Sequence, residues 1–221
     1  MTLPRRPARA AAILLTTLGS TAAAVIGVAP TASAAPCPDI EVVFARGTSE
    51  PAGVGRVGQA FADALSSQVG GRTVSTYGVN YPAGYDFLTT ADGALDAANR
   101  IASMAAQCPS TKIVLGGYSQ GAAVVDMLAG VPPLGNKIGD IGSAPPLSPT
   151  SAVTVASVAV FGNPATKFGN PVSSTGLFAG RAIDLCKDGD PICSDGRNPL
   201  AHRGYEDAMA QQAANFAAGL V

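Results

Sequence analysis

From residue 40 onward the sequence alternates between two hydrophobic periods, and that alternation leaves few folds open. Ile40–Ala45 (IEVVFA) is a short apolar run suited to a buried strand. Residues 54–69 then carry apolar side chains at 54, 57, 60, 61, 64, 65 and 69, the spacing of one helix face. The pattern repeats: strand over 73–79, helix over 91–106, strand over 112–115, helix over 122–128, strand over 153–161. A short fifth strand, Ala182–Leu185, and a terminal helix over 205–220 close the chain. Residues 130–149 are rich in Gly and Pro and read as a loop with one helical turn, and residues 163–180 read as irregular. Strands separated by helices are joined by crossovers rather than hairpins, so they pair in parallel with helices on both faces. The expected fold class is α/β, a single three-layer α/β/α sandwich without internal repeat or linker. Sheets of this kind bind ligands at the carboxyl ends of their strands.

The first 34 residues stand apart. Arg5, Arg6 and Arg9 give a basic start, residues 10–28 are mainly apolar, and Ala32-Ser33-Ala34 is an A-x-A cleavage signal. Thr, Gly and Ser break the apolar run, which argues against a stable membrane span. Residues 1–34 are therefore expected to be a removed signal peptide, and residues 35–221 the mature domain. Cleavage leaves eleven basic and fifteen acidic side chains, a net charge of −4. No basic block follows the first ten residues, so no nucleic-acid partner is expected. Cys37, Cys108, Cys186 and Cys193 all survive cleavage, and an even count in an exported chain points to two disulfides. With no Cys-x-x-Cys and a single histidine, no metal site is expected.

Gly117-Tyr118-Ser119-Gln120-Gly121 matches G-x-S-x-G. In a chain with 26 glycines the bare pattern is a weak signal. Its setting is stronger: it directly follows a strand pattern and directly precedes a helical one, as a nucleophile elbow requires. Small neighbours let the backbone turn sharply, and the following helix N-terminus favours a developing oxyanion. The competing reading is a Gly-rich turn with an idle serine.

A serine hydroxyl needs a base. His202 is the one imidazole of the chain, and it lies C-terminal to the serine, in the order Ser…Asp…His. An acid must hold that imidazole. Asp190, inside the segment bounded by Cys186 and Cys193, is the candidate; Asp184, Asp188 and Asp195 are rivals, of which spacing alone does not remove Asp188. Two oxyanion donors are expected: the backbone N–H of Gln120, and Thr48 in the loop after the first strand. Tyr81, Tyr85 and Phe87 after the second strand, with Pro199 and Leu200 beside His202, are candidate acyl contacts; core packing is the alternative for the aromatics.

Four ordered motifs now coincide: Phe44-Ala45-Arg46-Gly47-Thr48-Ser49-Glu50, Gly116-Gly117-Tyr118-Ser119-Gln120-Gly121-Ala122, Cys186-x-x-Gly189-Asp190-x-x-Cys193, and His202 with Tyr205 close behind. Together they resemble the cutinase family, in particular the cutinase-like secreted esterases of mycobacteria and related actinobacteria. The resemblance covers nearly all of the mature chain. It implies a minimal, lidless α/β-hydrolase with a five-stranded, mainly parallel sheet. It implies Ser119 as nucleophile, Asp190 as acid, His202 as base, and Thr48 and Gln120 as the oxyanion hole. It also implies the pairings Cys37–Cys108 and Cys186–Cys193. Two segments depart from the family pattern, the Gly/Pro-rich 130–149 and the polar 194–201, so substrate preference does not carry over.

The expected activity is hydrolysis of carboxylic esters, of the cutin type, of short to medium acyl esters or of lipids, through an acyl-enzyme. No cofactor is needed. The expected protein is secreted, extracellular or held in the cell envelope, monomeric, and without strong activation at a lipid interface. Three rivals share the residues: a phospholipase or thioesterase, separated by a substrate panel; an acyltransferase, revealed by diversion of product to added alcohol; and a catalytically weak binding or antigen-like protein, whose Ser119 would resist an active-site probe.

Overall fold

The structure, a computed structural model, describes residues 36–134 and 141–221; the segment read as an export signal lies outside them. Five strands, β1 (Ile40–Ala45), β2 (Val74–Gly78), β3 (Lys112–Tyr118), β4 (Val155–Phe161) and β5 (Ala182–Leu185), form one sheet in the order β2-β1-β3-β4-β5. Every pairing is parallel. The helices are α1 (Gly55–Gln68), α2 (Thr90–Gln107), α3 (Gln120–Ala129), the single turns α4 (Pro149–Ala152) and α5 (Pro164–Lys167), and α6 (Ala208–Ala218).

Side chains alternate across β1 and so divide the core in two. Ile40, Val42 and Phe44 face α1 and α6, where they meet Phe61, Leu65, Ala213 and Ala217. Val43 and Ala45 face α2 and α3, meeting Ala97, Ile101, Val124 and Leu128. The three layers follow directly from those two apolar faces.

Four boundaries differ from the sequence reading. β3 continues past Leu115 through Gly116, Gly117 and Tyr118, because Gly116 and Gly117 pair with Phe44 and Ala45 of β1. Helix α3 starts at Gln120 rather than at 122. Residues 149–152 form α4, so β4 begins at Val155. The terminal helix begins at Ala208, and Tyr205 lies before it.

Topology positions the site. The chain leaves β1 toward β2 on one side, and β3 lies on the other side of β1. The loops that follow β1 and β3 therefore diverge, which opens a crevice at the carboxyl end of the sheet. Disulfides join Cys37 to Cys108 and Cys186 to Cys193.

Candidate active site

The crevice holds a cavity of about 800 Å³, lined in part by Thr48, Ser119, Gln120 and His202. Ser119 sits between β3 and α3 with φ +56° and ψ −115°, a conformation that L-residues rarely adopt. The flanking glycines are forced by close backbone approach. A Cβ on Gly117 would lie 2.1 Å from the Gly121 carbonyl oxygen, and one on Gly121 would lie 1.9 Å from that of Ala45. The tight turn lifts the serine hydroxyl into the cavity.

Ser119 Oγ lies 2.7 Å from His202 Nε2. His202 Nδ1 lies 2.7 Å from Asp190 Oδ2. A carboxylate only accepts, so Nδ1–H donates to Asp190 and Nε2 is left to accept the serine proton. Asp190 is fully buried. Its charge is met by three donors: His202 Nδ1–H, the Ile192 N–H to Oδ1 at 2.8 Å, and the Tyr205 hydroxyl to Oδ2 at 2.5 Å. Burying a carboxylate is costly unless its oxygens are hydrogen-bonded, and here both are. Asp184 is committed elsewhere, accepting from Asn163, Thr166, Val172 N and Ser173 N.

The imidazole is held from behind and from the side. Tyr118 stacks on it at 5.1 Å and donates to the His202 carbonyl. Burial pushes the Tyr118 hydroxyl up to about 12, so it remains a donor. Gly162, at the end of β4, forms the wall behind the ring, where a Cβ would lie 2.7 Å from His202 Cε1.

Gln120 is the first residue of α3, so its N–H is among those that helical bonding leaves free. The Thr48 hydroxyl donates to Gln120 Oε1 at 3.0 Å, and Gln120 Nε2 donates to Thr90 Oγ1 at 3.0 Å. That chain ties the Thr48 loop to the first residue of α3 and commits the Thr48 hydroxyl to Gln120. Arg46 fixes the loop from below. Its buried guanidinium donates to the carbonyls of Glu50, Val79, Tyr81 and Pro82. Glu50 completes the loop, accepting from Gly47 N and Arg56 N.

The expected acyl contacts divide. Tyr85, Phe87 and Pro199 line the cavity, as do Ile141 and Ile192, which sequence reasoning did not name. Tyr81 does not: it is 5% exposed, stacks under the Arg46 guanidinium at 5.1 Å and donates its hydroxyl to the Arg46 carbonyl. Leu200 is 70% exposed and lies outside the cavity wall. Tyr118, Arg46, Gly162 and Thr90 were also missed as supports of the site. Tyr118 is the variable residue of G-x-S-x-G and Arg46 adjoins the Thr48 loop, so position alone marked both; nothing local marked Thr90 or Gly162.

Similarity to known proteins is extensive. A family model described as Cutinase matches residues 36–221. Phospholipase Culp4 of Mycobacterium tuberculosis is 51% identical over 194 residues, spanning 87% of this chain and 83% of that protein. Probable carboxylesterase Culp3 of the same organism is 51% identical over 191 residues, spanning 85% and 71%. Among solved structures, Trichoderma reesei cutinase in complex with a phosphonate inhibitor superposes with a TM-score of 0.68 at 38% identity, covering 84% of this chain and 77% of that one.

Proposed function

The chain belongs to the cutinase family of carboxylic ester hydrolases, and we propose that it cleaves its ester with Ser119 as nucleophile, His202 as proton carrier and Asp190 as the acid that orients His202. The observation that carries this reading is the unbroken line from Ser119 Oγ through both nitrogens of His202 to Asp190, at 2.7 Å and 2.7 Å, opening into an apolar-walled cavity. The alkoxide-forming proton passes from Ser119 to Nε2 as Oγ bonds to the ester carbonyl carbon. The Gln120 and Thr48 N–H groups take the charge that develops on the carbonyl oxygen. Collapse expels the alcohol, which receives the proton from Nε2. Water, deprotonated by the same nitrogen, then attacks the acyl carbon; the bond to Oγ breaks, Oγ takes the proton back from Nε2, and the acid leaves. Asp190 accepts the Nδ1–H hydrogen bond throughout and stabilises the imidazolium.

The apolar lining residues Tyr85, Phe87, Ile192 and Pro199 are the contacts for the acyl chain. A second reading, a phospholipid ester as substrate, draws on Arg203. This exposed guanidinium lines the cavity and is in no ion pair among the described residues, a fit for a phosphate headgroup. A similar protein bears the name phospholipase. Residues 1–34 act as an export signal, and the two disulfides accord with an oxidising compartment.

Ser119→Ala tests the reading. Hydrolysis of p-nitrophenyl esters should fall at least about a thousandfold while the fold is kept. Unchanged hydrolysis would rule the mechanism out. A panel of acyl esters and phospholipids ranks the two substrate classes, and an added acceptor alcohol reveals any acyl transfer.

A further inference from the structure

Asp190 Oδ2 carries two donors at once, and only one of them belongs to the proposed mechanism. The other is Tyr205. It lies three residues past His202, between the 3₁₀ turn Ala201–Arg203 and α6, and is fully buried. Its ring is packed by Phe161 at 6.1 Å, Tyr118 at 5.7 Å and His202 at 6.2 Å. Its hydroxyl accepts from the Lys187 N–H at 3.0 Å. A carboxylate oxygen only accepts, so the phenolic proton goes to Asp190 Oδ2, 2.5 Å away, in preference to the Cys193 disulfide sulfur at 3.5 Å.

We infer that Tyr205 is a positioning residue that sets the basicity of His202 through Asp190. The inference rests on the catalytic reading above. A hydrogen bond to a carboxylate oxygen draws charge from it. With Tyr205 bound, Oδ2 pulls less strongly on the His202 Nδ1 proton, and Nε2 becomes a weaker base. The imidazole then stays neutral, and able to accept the serine proton, to lower pH. The same bond holds the carboxylate plane, because Oδ1 is held separately by Ile192 N. A role in packing alone does not account for this geometry. A phenyl ring would fill the same space against Phe161 and Tyr118, and the hydroxyl is the part that reaches Asp190. Burial, and next the Asp190 hydrogen bond, raise the Tyr205 hydroxyl far above the usual tyrosine range, so it remains a donor at every working pH.

Other charged and titratable groups face the assembly. Tyr118 of β3 stacks on the imidazole. Lys187, after β5, donates from Nζ to the Gly204 carbonyl. Glu50, Arg56 of α1 and Arg203 line the cavity, and Glu206 is paired with Arg56. Tyr205→Phe leaves all of these in place.

The experiment is the pH dependence of kcat/KM for Tyr205→Phe against the parent, with a soluble p-nitrophenyl ester. The acid limb should move to higher pH by roughly half a unit, and kcat on the plateau should fall about tenfold with KM unchanged. His202 is the one histidine of the chain, so its ring ¹⁵N and Nδ1–H resonances are unambiguous and report the coupling without turnover. The Nδ1–H resonance should move downfield in Tyr205→Phe. Should that variant fail to fold, site-specific Tyr205→3-fluorotyrosine keeps the ring and strengthens the donor, and it should move the acid limb to lower pH. Superimposable profiles with unmoved ring resonances overturn the role of Tyr205. Full activity in Ser119→Ala would instead sink the catalytic reading beneath it.

Discussion

Gly162 offers a test of how tightly the imidazole must be held. It sits at φ +58°, directly after β4. Its backbone is pinned: Gly162 N donates to the Leu185 carbonyl at 2.8 Å, and the neighbouring Phe161 carbonyl accepts from Ser119 N at 2.9 Å. A Cβ there would lie 2.7 Å from His202 Cε1, 3.0 Å from Nδ1 and 3.3 Å from Asp190 Oδ2. Comfortable carbon contacts lie near 3.5–4.0 Å, so Gly162→Ala must push the ring back by about 1 Å. A misplacement of that size costs about 100-fold in rate, or about 2.7 kcal/mol of barrier. The left-handed backbone adds a stability cost of about 1–2 kcal/mol for alanine. Gly169→Ala is the matched control, since Gly169 has φ +77° and nothing within 4 Å of its Cβ position. Both variants should lose similar stability in thermal unfolding, and only Gly162→Ala should lose kcat on a p-nitrophenyl ester. Equal kcat values in the two variants would refute the steric argument.

Two further predictions separate stability from activity. The Cys37–Cys108 bond closes a loop of sequence separation 71, so replacing both cysteines with alanine should cost about 4 kcal/mol by the chain-entropy relation, yet leave kcat near that of the parent. The Cys186–Cys193 bond closes a separation of only 7, worth about 2.5 kcal/mol, but Asp190 lies inside it; this pair should lose activity at temperatures where the protein is still folded. Asp126, fully buried in α3, is pushed well above the usual carboxylate range by burial, against the pull of the Asn163 hydrogen bond and with a further push from Asp184. The folded state thus keeps a proton that the unfolded chain releases near its ordinary value of 3.8, and stability should fall as pH rises from there toward the raised value. Asp126→Asn removes that slope. Denaturant titrations should show the variant gaining on the parent with rising pH, and parallel curves would contradict a protonated Asp126.

The fold could be read from the sequence because β1, the start of β3 and β4 are short, mainly apolar runs and the long helices carry regular apolar faces. The reading failed where backbone pairing, not hydrophobicity, decided the element. Gly116 and Gly117 have no side chain to signal a strand, yet they extend β3 by pairing with β1. Tyr205 looked like the first apolar residue of a helix face, but its hydroxyl is drawn to Asp190 and the helix starts after it. Ser119, His202 and Asp190 could be chosen because few residues had the required chemistry, and one motif and one histidine narrowed the choice. Their supports were hidden for a different reason. Arg46 and Tyr81 are 35 residues apart and meet only when β1 and β2 pair, so an aromatic that looked like a substrate contact is a core residue under a buried cation.

The central claim is that Ser119, activated by His202, forms a covalent acyl-enzyme. Mass spectrometry of the purified, disulfide-intact protein after reaction with an organophosphonate ester tests it most directly. The account predicts one adduct per chain, on Ser119, with ester hydrolysis lost in proportion to labelling, and no adduct in Ser119→Ala. A folded protein that hydrolyses esters while Ser119 stays unlabelled, or that is labelled on another residue, would contradict it.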